Sequence, residues 1–201
     1  MATLYDIKPA FQARLRPLTS GLAGAGVTAN QVTLAAAVLS VATGAAIAVM
    51  PTTPWVFWLL PLVLFVRMAL NAIDGMLARE HGQASKLGMF LNEICDVVSD
   101  LALILPFALV PPFAAWGAIA FALTAFMTEF AGVLGVPAGA GRRYDGPLGK
   151  SDRAAALGII AAIIGFGFTL PAIASWIFPL LAAISLITVF NRVRAALRAA
   201  E

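Results

Sequence analysis

Asn71-Ala-Ile-Asp74-Gly75-Met-Leu-Ala78-Arg79 and, eight residues on, Gly88-Met-Phe-Leu-Asn92-Glu-Ile-Cys-Asp96 followed by Asp100 place polar groups inside two apolar stretches. Asn71, Asp74 and Ala78 recur at i, i+3 and i+7, one face of a helix. Asn92, Asp96 and Asp100 recur at i, i+4 and i+8, one face of the next. The connection from Arg79 to Lys86 is short, so the two helices are antiparallel neighbours. Asp74 lies five residues before Arg79 and Asn92 six after Lys86. At about 1.5 Å per residue both are about 7–9 Å in from the charged ends, so the two polar faces meet at one level. Ionisable groups are costly within a span, and by default they mark a functional site.

The surrounding chain explains what those helices are. Of 201 residues, 61% are hydrophobic and 11% charged, and the mean hydropathy is +0.93. Soluble domains average about 45–50% apolar and roughly 25% charged, so lipid is the solvent here. Six apolar stretches stand out: Asn30–Met50, Pro54–Ala78, Leu87–Leu109, Pro112–Leu134, Ala154–Leu170 and Ala172–Phe190. Each approaches the roughly 20 residues that cross about 30 Å of hydrocarbon. Proline punctuates them at Pro51, Pro54, Pro111, Pro112, Pro137, Pro147 and Pro171. The expected fold is all-α: an integral membrane bundle of six transmembrane helices (residues 27–201) preceded by an amphipathic interfacial segment (residues 1–26).

Charge orients this bundle. Lys8, Arg14 and Arg16 precede the first stretch, and Lys86 separates the second from the third. Arg142, Arg143, Lys150 and Arg153 separate the fourth from the fifth, and Arg192, Arg194 and Arg198 follow the sixth. The other three connections carry no charge. By the positive-inside rule both termini and both charged loops are cytoplasmic, and the polar faces open there. Topology thus accounts for the net charge of +3, and nucleic acid is excluded as a partner. Leu4, Ile7, Phe11, Leu15 and Leu18 interleave with Lys8, Arg14 and Arg16, as expected of an amphipathic helix in the cytoplasmic interface; a basic tail is the plainer alternative. The start of the chain lacks the order of a signal peptide. Cys95, the single cysteine, has no internal disulfide partner and lies in an apolar stretch, which argues against redox chemistry.

Oxygen-only donors of the Asn71, Asp74, Asn92 and Asp96 kind suit hard cations such as Mg²⁺ or Mn²⁺. Carboxylates crowded in a low dielectric repel one another, and a divalent cation relieves that cost. Gly75 and Gly88 leave room for a ligand to approach.

The run resembles the signature of the CDP-alcohol phosphotransferases (CDP-alcohol phosphatidyltransferases): Asp-x-x-Asp-Gly-x-x-Ala-Arg, eight residues, then Gly-x-x-x-Asp-x-x-x-Asp. Asp74, Gly75, Ala78, Arg79, Gly88 and Asp96 match at the expected spacings, whereas Asn71 and Asn92 replace the first and third aspartates. Thr28-Ala-Asn30-Gln-Val-Thr33 is similar to the family's Thr-Pro-Asn-x-x-Thr, and Gly149-Lys150-Ser151-Asp152-Arg153 resembles its Gly-Lys segment. The likeness covers nearly the whole chain. It implies metal ligation at Asn71, Asp74, Asn92 and Asp96, with the asparagines using amide oxygens, and Asp96 as the general base. It implies that Asn30, Thr33, Gly75, Ala78, Arg79 and Gly88 hold the CDP moiety. It further implies CDP-diacylglycerol or a similar CDP-lipid as donor, an alcohol acceptor, phospholipid synthesis, a homodimer and a bacterial inner membrane. Losing two carboxylates weakens divalent binding and puts a two-metal site in doubt.

Other polar residues divide between functional and structural readings. Asp100 either replaces lost charge as a further metal ligand or is a buried acid bonded to a neighbour. Glu93 and Glu129 read first as structural, Arg67 as an ion-pair partner of Asp100 or Glu129, and His81 as exposed. Lys150 and Arg153, with Arg142 and Arg143, exceed what topology needs and are candidates for a subsite holding a phosphate on the acceptor or lipid. Trp55, Trp58, Trp116 and Trp176 fall near uncharged span ends, as an interfacial belt does. The expected activity is transfer of a phosphatidyl or related phospho-alcohol group to an alcohol with release of CMP. The competing class is a non-catalytic CDP-lipid binder of the same fold; a transporter leaves Gly75, Ala78 and Arg79 unexplained.

Overall fold

A reciprocal cap starts the first apolar helix: Thr28 Oγ1 accepts the Gln31 N–H at 3.2 Å, and Gln31 Oε1 accepts the Thr28 N–H at 2.9 Å. The computed structural model describes the backbone of residues 4–200 and the side chains of residues 9–200. Leu4, Ile7 and Lys8 of the amphipathic pattern therefore lie outside the described side chains. The helices are α1 (Leu4–Gly24), α2 (Ala29–Val49), α3 (Leu59–Glu80), α4 (Lys86–Ile104), α5 (Ala115–Leu134), α6 (Lys150–Gly165) and α7 (Ile177–Ala200). Three 3-10 turns, Pro54–Trp58, Leu105–Leu109 and Ala172–Trp176, adjoin α3, α4 and α7. No strand occurs among the described residues.

Four segments are long and apolar enough to cross a membrane: Ala29–Val49, Pro54–Glu80, Ala115–Leu134 and Ala172–Ala200. The sequence led us to expect six, and the difference has a physical origin. Helix α4 carries Lys86, Glu93, Asp96 and Asp100 within its 19 residues. It also stops at Ile104, where Pro106 enters the following turn, instead of running to Leu109. Helix α6 has 16 residues, about 24 Å at 1.5 Å per residue, which falls short of the hydrocarbon thickness.

The chain divides into two compact units, one formed by residues up to Ser40 with Val63–Ser99, the other by Val41–Leu62 with residues from Asp100 onward. In the first, Ala29, Val32, Ile73, Met76 and Leu77 form a buried core against which Leu15, Leu22 and Ala23 of α1 pack. Arg16 reaches Glu80 through two hydrogen bonds of 2.9 Å, tying α1 to the end of α3. Gln83 accepts the Ala29 N–H at 2.6 Å and donates to Val27 O at 3.2 Å, which fixes the α3–α4 loop to the start of α2.

In the second unit Phe57, Phe107, Phe113, Phe121 and Phe178 stack in a chain with centroids 4.8–6.0 Å apart. Each such aromatic pair contributes about 0.5–1.5 kcal/mol beyond burial. Lipid is as apolar as these side chains, so close packing holds the helices together. Gly117 supplies it: a Cβ there would lie 2.5 Å from Pro179 Cδ, so α5 and α7 approach as only glycine allows. Large apolar side chains such as Val38, Phe65, Phe90, Leu123 and Phe190 face outward, as expected where lipid is the solvent.

Candidate active site

Helix periodicity delivers the signature side chains to the first unit's interior. Asp74 is buried, and its Oδ2 accepts the Thr33 hydroxyl at 2.8 Å. Thr33 also donates to Ala29 O at 3.1 Å, so α2 holds the rotamer that grips the carboxylate. Asn71 and Asn92 are half-buried on α3 and α4. Asp96, half-buried on α4, meets Arg67 of α3. The Arg67 guanidinium lies 3.4 Å from Asp96 Oδ1 and 3.1 Å from the Asp96 carbonyl oxygen. The sequence pointed Arg67 towards Asp100 or Glu129; the structure shows a contact with Asp96. No short-range pattern reveals that contact, because it depends on how α3 and α4 cross.

Both glycines lie against polar side chains. Over Gly75 folds the Arg79 guanidinium, 3.1 Å from where a Cβ would stand. A Cβ on Gly88 would meet Asn30 Oδ1 at 2.9 Å and Ser85 Oγ at 3.1 Å. Ser85 caps α4 by accepting the Gly88 N–H at 2.9 Å. Asn30, Thr33, Gly75, Arg79 and Gly88 thus belong to one polar region with Asp74, and half-buried Ala78 continues its face. His81 is half-buried, not exposed as expected.

A second polar cluster lies in the other unit. Arg153 of α6 is 1% exposed and donates to Asp100 Oδ2 at 2.9 Å, Glu129 Oε1 at 2.8 Å and Thr128 Oγ1 at 2.8 Å. Arg142 donates to Glu129 Oε2 at 3.1 Å. Arg192 of α7 donates to the Thr128 carbonyl and lies 3.5 Å from Glu129 Oε1. Among these five residues three guanidiniums share two carboxylates, a balance of +1. Burial lowers the pKa of Arg142 from the ordinary arginine value. Arg143 is turned elsewhere, paired with Asp145 at 2.9 and 3.1 Å, and its hydrogen bonds hold Asp145 below the usual carboxylate range. Lys150 opens α6, half-buried and partnered. Nothing in the sequence marks Glu129 as the hub beyond its being an acid in mid-span.

Carboxylate and amide oxygens on α3 and α4 are the donors a hard cation takes. Two carboxylates, one of them beside an arginine, fit one such ion better than two. Among the described residues no three His, Cys, Asp or Glu gather as a metal group.

A sequence profile of the CDP-alcohol phosphatidyltransferases matches residues 26–190. The chain belongs to this family. Membership places it among the membrane-embedded transferases of phospholipid biosynthesis. It is 50% identical over 157 residues, 78% of each chain, to the inner membrane protein YnbA of Escherichia coli K12, another indication that this CDP-alcohol phosphatidyltransferase is an integral membrane protein. It is 36% identical over 103 residues to the phosphatidylinositol phosphate synthase of Corynebacterium glutamicum, a match spanning 51% of this chain and 45% of that one. In fold it is similar to the crystal structure of Mycobacterium tuberculosis phosphatidylinositol phosphate synthase PgsA1 with CDP-DAG bound. The TM-score is 0.75 at 22% identity, covering 90% of this chain and 92% of that one. The same synthase has also been solved with manganese and citrate.

Proposed function

We propose that this protein transfers a phosphatidyl or related phospho-alcohol group from a CDP-linked lipid such as CDP-diacylglycerol to an alcohol, releasing CMP. The observation that carries the reading is the polar region on α3 and α4, where Asp74 is gripped by Thr33 and Asp96 is held by Arg67. Asn30, Thr33, Gly75, Ala78, Arg79 and Gly88 receive the CDP moiety, with the Arg79 guanidinium over Gly75 and the Asn30 amide over Gly88 as its polar contacts. Asp74, Asp96, Asn71 and Asn92 hold one Mg²⁺ or Mn²⁺, with Asp100 one helical turn further along α4. Bound there, the cation supplies charge stabilisation for the leaving CMP. Asp96 removes the proton from the acceptor hydroxyl, whose oxygen bonds to the lipid-bearing phosphorus as the bond to CMP breaks. The CDP-DAG and manganese complexes of a protein of this fold support both ligand classes.

Lys150, Arg153 and Arg142 form the proposed acceptor side; Arg143, grouped with them by sequence, is turned to Asp145 instead. Glu129 and Asp100 pair with Arg153 and Arg142, and Arg192 on the same Glu129 leaves a positive surplus, which suits a phosphate on the acceptor or lipid. In this reading α4 with the 3-10 turn that follows it, and α6 with the residues on to Leu170, complete six spans. Their ionisable groups are tolerated because Asp96 meets Arg67 and Asp100 meets Arg153. Residues 1–26 lie in the interface, the protein is a homodimer, and the site and both termini face the cytoplasm. Impermeant labelling of a cysteine placed at exposed Tyr144 tests the orientation; reaction from outside the cell would reverse it.

The deciding experiment is CMP release from CDP-diacylglycerol by purified protein, across a panel of alcohols and a divalent titration. A second reading, a CDP-lipid binder without turnover, draws on Asn71 and Asn92, which remove two negative charges from the donor set. Donor binding without release for any alcohol would select it.

A further inference from the structure

A basic cavity of about 470 Å³ lies between the end of α7 and the loop before α6, lined by Arg143, Asp145, Gly146, Asn191, Arg194 and Arg198 among others. Asn191, Arg194 and Arg198 fall at i, i+3 and i+7, one face of α7. The opposite wall is built rather than loose. Gly146 has φ +126° and lies so close to α7 that a Cβ would be 2.6 Å from Thr188 Cγ2. The Leu148 N–H donates to Thr188 Oγ1 at 3.2 Å, pinning the same loop. Arg143 is fixed by its two hydrogen bonds to Asp145.

The charges in this cavity do not cancel. Three arginines face one aspartate, a surplus of two positive charges. Among the described residues Arg194 and Arg198 have no hydrogen-bond or ion-pair partner, in contrast to Arg142, Arg153 and Arg192, which all pair with Glu129. Topology and a helix C-terminus both favour arginines here. Neither requires two of them on one face, converging with a third from another segment, around a concave site.

We propose that this cavity binds a phosphate group, held by Arg194 and Arg198 with Arg143 and the Asn191 amide completing the donors. Guanidinium forks match phosphate oxygens in geometry and charge. The group comes from an anionic phospholipid headgroup or from a soluble phosphate. The inference does not depend on the transfer reaction or on the α3–α4 site.

The test uses full-length protein, the Arg194→Gln/Arg198→Gln variant, and an Arg14→Gln/Lys86→Gln control of equal charge change at exposed positions. One arm titrates inorganic phosphate and glycerol 3-phosphate in neutral detergent by calorimetry. The other counts lipids retained in native mass spectra after transfer from phosphatidylcholine nanodiscs with or without phosphatidylglycerol. The wild type binds in at least one arm, the α7 variant loses at least about tenfold in affinity or retention, and the control does not. The responding arm identifies the source of the phosphate. Wild-type binding in neither arm, an α7 variant that binds normally, or an equal loss in the control overturns the proposal.

Discussion

Replacing Glu129 by glutamine removes the hub on which Arg153, Arg142 and Arg192 converge at 2.8, 3.1 and 3.5 Å. The glutamine keeps an acceptor oxygen and nearly the same volume, so the change is chiefly one charge. The cluster then holds three guanidiniums against Asp100 alone and moves from +1 to +2. Breaking a buried pair by removing one partner costs about 3–5 kcal/mol, and the retained oxygen places Glu129→Gln near the lower end, about 3 kcal/mol. Arg192→Met in the same background returns the cluster to +1. Because Arg192 also serves the Thr128 carbonyl, that substitution alone destabilises as well. The double variant should nonetheless be less damaged than the sum of the two, with a coupling of about 1–3 kcal/mol. Equilibrium unfolding of the four proteins in mixed micelles, followed by tryptophan fluorescence, measures each corner of the cycle. A cost below about 1 kcal/mol for Glu129→Gln, or additivity within about 0.5 kcal/mol, would refute the view of Glu129 as a buried charge hub.

Thr33→Val keeps shape but removes a hydrogen bond to the buried Asp74 carboxylate, so it should cost about 1–3 kcal/mol of stability and lower CMP release; stability and turnover equal to wild type would show that the 2.8 Å bond is dispensable. Gly88→Ala gains about 1 kcal/mol of helix propensity but pushes Asn30 aside, an overpacking cost of about 1–3 kcal/mol, and should weaken CDP-lipid binding more than it changes stability. In donor-binding and turnover assays, Asp96→Asn should spare nucleotide binding and abolish release, whereas Asp74→Asn should remove the divalent dependence; wild-type CMP release by both would sink the assignments. Asn71→Asp with Asn92→Asp should tighten divalent binding in a titration, because two formal charges join the donor set, and unchanged affinity would place the cation elsewhere.

Periodicity and composition alone fixed the membrane class, the helical character of each apolar stretch, and the face shared by Asn71, Asp74 and Ala78. These follow from solvent and from 3.6 residues per turn, which act over a few residues. The limits of α4 and α6 were less legible, because the charges of Asp96 and Asp100 are tolerated only through partners supplied by the fold. Partner choice itself was beyond the sequence. Thr33 finds Asp74 across 41 residues, Arg67 finds Asp96 across 29, and Arg153 finds Asp100 across 53. Arg143 was grouped by sequence with the buried arginines, yet the loop turns it to Asp145 and the α7 cavity. Gln83, unremarkable in the sequence, anchors the loop to α2 through two backbone groups. A charged side chain several carbons long can reach any of several neighbours, and only helix crossing and loop path decide which desolvated partner it meets.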